Sequence, residues 1–223
     1  MAPAPITHMI FDLDGTLLNT LDDLAAAGNY VCGLHGWPTF TTDQYRYKVG
    51  NGMSKLVERF MPAEFMGDAL MHEQALAEFR TYYDEHKTDR TSPYPGIMEA
   101  LDELRAMGVE LAVLTNKDHA AAVPLVERFF GTSRFSLVQG RVDAFLPKPA
   151  APITRHVLAQ LEADPAGALY IGDSDVDVQC GHNAGMRAIG VSWGFRGRNE
   201  LEAAGADAVI DEPGELARLV REV

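Results

Sequence analysis

A chain of 223 residues is too long for one small domain and too short for two large ones, so a main domain carrying a smaller insertion is expected. Its 47% hydrophobic and 23% charged residues are those of an ordered globular protein. With 19 Lys and Arg against 32 Asp and Glu the formal charge is −13, a surface that repels a phosphate backbone and sets nucleic acid aside as a partner.

The N-terminal stretch has no basic leader, its apolar run is cut by Asp12 and Asp14, and no segment reaches ~18 uninterrupted apolar residues. A cytoplasmic protein without membrane association is therefore expected, as monomer or homodimer. Residues 9–11 read as a buried strand that runs directly into Asp12-Leu13-Asp14-Gly15-Thr16. Residues 18–92 then break any strand rhythm, because segments 24–34, 53–61 and 69–83 all have helical spacing with no strand between them, and this region reads as an inserted all-helical cap. Two prolines in Thr91-Ser92-Pro93-Tyr94-Pro95-Gly96 mark its exit.

From residue 93 the chain alternates. Strands are expected at 111–114, 137–138, 169–171, 188–191 and 208–210, with helices at 97–107, 120–130, 153–161, 176–184 and 215–220. Residues 1–17 and 93–223 thus read as an α/β core, a doubly wound, Rossmann-like parallel sheet with helices on both faces. Pro124 is awkward in the second of these helices, which is expected to start late or bend. Cys32 and Cys180 carry no metal-ligand spacing and read as reduced, buried residues.

Four strand ends carry polar groups. The first bears Asp12 and Asp14, two carboxylates at the edge where open α/β sheets bind ligands; a turn or helix cap is the competing reading of a lone Asp. The second ends in Thr115-Asn116-Lys117, where a hydroxyl plus backbone amides at a strand-to-helix turn can hold phosphate oxygens, or the Thr115-Asn116 pair merely caps a helix. The third leads to Lys148 between Pro147 and Pro149, a fixed ammonium or a solvated loop lysine. The fourth bears Gly172-Asp173-Ser174-Asp175-Val176-Asp177. Its alternating acids imitate the start of a calcium loop, but Val178 and Ala184 occupy positions that such a loop gives to Gly and Glu. Oxygen ligands without His or Cys favour Mg²⁺ over zinc. Together the four place a carboxylate pair, a phosphate-gripping turn, a lysine and a metal-binding acid around one crevice.

In this order the motifs DLDGT, LTN, KP and GDSDVD resemble those of the haloacid dehalogenase superfamily over essentially the whole chain. The resemblance implies Asp12 as nucleophile, Asp14 as general acid and base, Thr115 and Asn116 on the transferring phosphoryl group and Lys148 as its counter-charge. It also implies Mg²⁺ on the Asp12 carboxylate, the Asp14 backbone carbonyl and Asp173, with Asp177 supporting Asp173 or Lys148 and Asp175 on the surface or capping a helix. Relatives usually continue the lysine motif as KPxP, whereas here it reads Lys148-Pro149-Ala150-Ala151-Pro152. An acid at Asp14 argues for phosphate esters and against the dehalogenase and phosphonate-cleaving branches.

Val49-Gly50-Asn51-Gly52-Met53, Tyr94-Pro95-Gly96, Thr115-Asn116-Lys117 and Trp193-Gly194-Phe195-Arg196 resemble the phosphoglycolate phosphatase branch, although Asn-Gly and Pro-Gly are also ordinary turn pairs. The resemblance implies a small phosphorylated metabolite, 2-phosphoglycolate, met by Asn51 and Gly52 of the cap, with Lys48 and Lys55 beside that turn. A β-phosphoglucomutase-like phosphotransferase, a sugar-phosphate phosphatase, a pyrophosphatase and a non-catalytic module are the alternatives; the last would be expected to have lost a catalytic position, and none is substituted.

Overall fold

The structure, a computed structural model, describes residues 4–221. In chain order the elements are β1 (His8–Phe11), β2 (Leu18–Asn19), α1 (Leu21–His35), α2 (Thr42–Tyr45), α3 (Met53–Phe60), α4 (Ala69–His86) and β3 (Ser92–Pro93). They continue as α5 (Ile97–Ala106), β4 (Glu110–Asp118), α6 (His119–Phe130), β5 (Leu137–Arg141), α7 (Ala151–Gln160) and β6 (Ala168–Gly172). The last are α8 (Asp175–Asn183), β7 (Arg187–Val191), α9 (Arg198–Ala203), β8 (Ala208–Ile210) and α10 (Leu216–Arg221). The chain forms two compact units, one from the chain up to Leu18 together with the chain from Pro93 onward, the other Asn19–Ser92. Among the described residues no helix is long and apolar enough to cross a membrane.

The first unit is α/β. Its six strands run in the order β5-β4-β1-β6-β7-β8, each pair of neighbours parallel. Side-chain alternation along β1 explains why both faces are covered: Met9 and Phe11 join Leu111, Val113, Leu169 and Ile171 on one side, where α5, α6 and α10 pack through Leu101, Leu125 and Leu216. Ile10 faces the other way with Ala112, Leu114 and Tyr170, against Ile153 and Val157 of α7 and Cys180 of α8. Register decides where the chemistry goes. Phe11 pairs with Val113 on one side and Ile171 on the other, so the residues that come after Phe11, Val113 and Ile171 lie together at one edge of the sheet.

Several elements differ from their sequence expectations. β4 does not stop at Leu114 but continues to Asp118, so Thr115, Asn116 and Lys117 lie within the strand and not in a turn before a helix. Its pairing with β5 shifts register between Leu114 and Asp118, and such an irregularity re-aims side chains that a regular ladder would alternate. α6 runs unbroken through Pro124; the lost hydrogen bond is offset by burial of Ala121, Ala122, Leu125, Val126 and Phe130. α9, six residues long, is too short for its periodicity to show in sequence.

The second unit is helical apart from its ends. α1 presents Leu24, Ala27 and Val31, α4 presents Ala75, Phe79 and Tyr83, and α3 presents Leu56, Val57 and Phe60, all buried at helical spacing. Phe79 links two of these faces, with ring centroids 6.2 Å from Phe60 and 5.7 Å from Tyr83. Gly28 lets α1 meet Tyr45 closely, since a Cβ there would lie 2.3 Å from the phenolic oxygen. The two ends of the segment are tied by Asp23, whose buried carboxylate accepts from the backbone N–H groups of Arg90 and Thr91 and, at 2.8 Å, from the Thr91 hydroxyl.

Candidate active site

Asp12 directly follows β1, its N–H bonded to Ile171 O at 2.9 Å, so its position is set by the central ladder. Its Oδ1 accepts from the Leu13 N–H at 2.7 Å and from Lys148 Nζ at 3.0 Å. The segment then curls tightly: Leu17 N and Leu18 N both reach Leu13 O at 3.0 Å, and Gly15 turns with φ +89°, where a Cβ would sit 2.4 Å from Asp173 Oδ2. A glycine is required there by both conformation and space. The curl brings Thr16 to Asp173, whose Oδ1 accepts from the Thr16 hydroxyl at 3.3 Å while Oδ2 accepts from the Phe195 N–H at 2.7 Å. Gly194 completes this cradle, because a Cβ on it would come within 2.3 Å of Asp173 Cβ and of Gly15 O.

Lys148 is buried and meets oxygens from four parts of the chain. Nζ lies 3.0 Å from Asp12 Oδ1, 2.8 Å from Asp177 Oδ1, 2.8 Å from Tyr170 Oη and 3.1 Å from Leu114 O. Burial alone would push its ammonium down, but Asp12 and Asp177 outweigh that and hold it above the ordinary lysine range. Asn116 fixes the backbone of the same residue: its Oδ1 accepts from Lys148 N at 2.8 Å and its Nδ2 donates to Lys148 O at 3.2 Å. The altered Lys-Pro-Ala-Ala-Pro loop is therefore anchored at its lysine by a neighbouring strand.

Asp177 accepts Lys148 on Oδ1 and the Ser174 N–H and hydroxyl on Oδ2, the hydroxyl at 2.6 Å. Asp175 is exposed in the first turn of α8. Asp14, 14% exposed at its side chain, meets Lys117 Nζ through both oxygens, at 3.2 and 3.1 Å. Thr115 is buried, and its Oγ1 accepts from Lys117 N at 3.2 Å, which leaves the hydroxyl proton to donate.

Sequence reasoning assigned no role to Lys117 or Tyr170. Lys117 had a signal in the Thr-Asn-Lys run, but its partner lies 103 residues away; Tyr170 reads only as a strand residue. Asn51 and Gly52 belong to the helical unit. There Asn51 Oδ1 accepts from Arg59 at 2.6 Å and Gly52, φ +85°, precedes α3.

Asp12, Asp173 and Asp177 each offer a carboxylate oxygen within 4.8 Å of one another, all buried. Burial pushes the Asp12 carboxyl up to about 6 against the pull of Lys148, with Asp177 and Asp14 adding to the rise; Asp173 is pushed well above the carboxylate range by burial, Asp177 and Asp12. Asp173 accepts from neutral donors, the Thr16 hydroxyl and the Phe195 N–H, and Asp12 shares the Lys148 ammonium with Asp177, so Asp12 and Asp173 supply hard, oxygen-only donors whose negative charge the protein itself does not fully offset. That donor set fits a hard divalent cation.

Comparison with known proteins bears on what this site does. Residues 9–191 match the family model described as haloacid dehalogenase-like hydrolase. The phosphoglycolate phosphatase of Chromobacterium violaceum is 34% identical over 218 residues, covering 97% of each chain, and that of Caulobacter vibrioides is 36% identical over 206 residues, 90% of this chain and 84% of that one. Among solved structures, CbbY from Rhodobacter sphaeroides, crystallised in complex with phosphate, superposes with a TM-score of 0.78 at 27% identity over 95% of this chain and 96% of that one. With its sheet, its acid-bearing strand ends and these relatives in agreement, the chain belongs to the haloacid dehalogenase-like hydrolase family, on the branch of its phosphoglycolate phosphatase relatives.

Proposed function

We propose that this phosphatase, a hydrolase of phosphoric monoesters, acts on 2-phosphoglycolate by carrying the phosphoryl group on Asp12, with Mg²⁺ as its cation. The reading is supported most by one observation: Asp12 stands at the end of the central strand with Lys148 on one oxygen and the buried Asp173 beside it. Asp12, the Asp14 backbone carbonyl and Asp173 are the groups that would hold Mg²⁺, which when bound opposes the negative charge of the transferring phosphoryl group.

Lys148 and the Leu13 N–H hold Asp12 Oδ1, which leaves Oδ2 as the attacking atom. Its lone pair forms the bond to phosphorus while the ester P–O bond breaks, and Asp14 delivers its proton to the departing alkoxide oxygen. Asp14 then takes a proton from water as the water oxygen attacks the same phosphorus; the P–O bond to Asp12 breaks, and inorganic phosphate leaves with both aspartates restored. Thr115 donates its hydroxyl to a phosphoryl oxygen, Lys148 offsets the charge spread over the others, and Asn116 keeps Lys148 in place. The 19–92 segment serves as a cap that excludes bulk water, and Asn51 and Gly52 meet the substrate's carboxylate end.

Asp12→Asn is expected to keep the wild-type melting temperature within about 2 °C and to lose at least ~10³-fold in kcat, because an amide cannot attack phosphorus. Wild-type turnover in that variant would remove the nucleophile. On substrates, kcat/KM for 2-phosphoglycolate should exceed that for p-nitrophenyl phosphate by about 10²-fold or more. Neutral sugar phosphates turned over best would move the assignment to a sugar phosphatase, and β-glucose 1-phosphate converted to the 6-phosphate without phosphate release would establish a mutase.

A further inference from the structure

The Gly50-Asn51-Gly52 turn lies between α2 and α3. Gly50 and Gly52 take φ of +113° and +85°, backbone that side chains avoid, and a Cβ at Gly50 would meet nothing within 4 Å. Two glycines around one asparagine leave the unbound turn many conformations. What fixes Asn51 comes from eight residues on, in the last turn of α3. Arg59 Nη1 donates to Lys48 O at 2.8 Å and Arg59 Nη2 to Asn51 Oδ1 at 2.6 Å, so one planar fork grips the chain before the turn and at its centre. Lys48 returns the contact, with Nζ 2.8 Å from Arg59 O and 3.9 Å from the centroid of the Phe40 ring.

The fork also decides which way the amide of Asn51 points. Arginine has donors only, so the atom facing it must be the carbonyl oxygen, and the two N–H groups of Nδ2 are left for a ligand. A pair of N–H donors suits a carboxylate and not another cation. Because Arg59 is exposed, these bonds add little to folding. The arrangement is better accounted for by what it orients.

We infer that Arg59 is a positioning residue for specificity: it holds Asn51 with its amide N–H groups presented to the carboxylate of the substrate. This rests on the reading that the Gly50–Gly52 turn meets that carboxylate. The test is the ratio of kcat/KM for 2-phosphoglycolate to that for p-nitrophenyl phosphate, which lacks a carboxylate. Arg59→Met, which keeps the aliphatic stem and helix propensity, should lower the ratio by about 10-fold, with the loss on 2-phosphoglycolate appearing in KM. Arg59→Lys, a single-point donor that cannot span both acceptors, should lower it too. Arg59→Met combined with Asn51→Ala should be no worse than Asn51→Ala alone, since the two act as one unit. A ratio preserved in Arg59→Met or restored in Arg59→Lys, with Asn51→Ala still losing it, would overturn the role of Arg59 alone. A ratio unchanged in Asn51→Ala would remove the reading of the turn, and the role of Arg59 with it.

Discussion

Lys148 shows how much of the site is made by contacts distant in sequence. Its ammonium is shared among Asp12, Asp177, Tyr170 and Leu114, and its backbone is held by Asn116, so the lysine stands beside Asp12 already oriented and largely without side-chain freedom to lose. Asp14 is placed differently, by the ammonium of Lys117 across both oxygens. A carboxyl at this point is useful only where a leaving group needs a proton. Asp14→Asn should therefore slow phospho-enzyme formation from an alkyl phosphate by ~10²-fold more than from an aryl phosphate, whose phenolate departs unaided. Rapid-quench measurement of the first turnover makes the comparison, and equal losses on the two esters would mean that Asp14 is not the acid of that step.

At the level of elements, the central strands were readable because they are buried on both faces: Met9, Ile10 and Phe11 are all inaccessible, and such runs stand out in sequence. The α/β class follows from their alternation with helices, and the position of Asp12 at the end of β1 from the same pattern. Three features resisted. The continuation of β4 through Thr115 and Lys117 depends on pairing with β5 that local sequence does not encode. The partners of Lys148 and Asp14 lie tens of residues away. Asp23 reads as one acid among several in an amphipathic helix, yet it accepts two backbone N–H groups and a hydroxyl from Arg90 and Thr91, at the far end of the helical segment. Asp23→Ala would leave those buried donors without a partner, at a cost of about 3 kcal/mol by denaturant unfolding, while Asp23→Asn, which keeps one acceptor, should lose about half as much. Hydrogen exchange at the Thr91 amide reports the same event locally. Unchanged protection in Asp23→Ala would show that this tie does not hold the segment's ends together.

For the molecule as a whole, the net charge of −13 makes the active-site carboxylates more costly to bring together, since the field around them is already negative. Burial acts in the same direction on Asp12 and Asp173. A cation bound at that point should therefore stabilise the folded chain as well as serve the reaction, because only the folded state assembles its ligands. At ~100 times its dissociation constant the gain is about 2.7 kcal/mol, which for a chain of this size is a rise of roughly 5–10 °C in melting temperature. Any salt screens an acidic surface, so the comparison is between Mg²⁺ and NaCl at matched ionic strength after treatment with a chelator. Asp173→Asn should lose the Mg²⁺-specific rise while keeping the NaCl response, because the amide can still accept from Phe195 or Thr16 but ligates a hard cation poorly. Chelation should abolish turnover of the wild-type enzyme in parallel. A shift equal for Mg²⁺ and NaCl, or an undiminished Mg²⁺ shift in Asp173→Asn, would place the cation elsewhere and leave Asp173 as a structural carboxylate of the Gly15–Gly194 cradle.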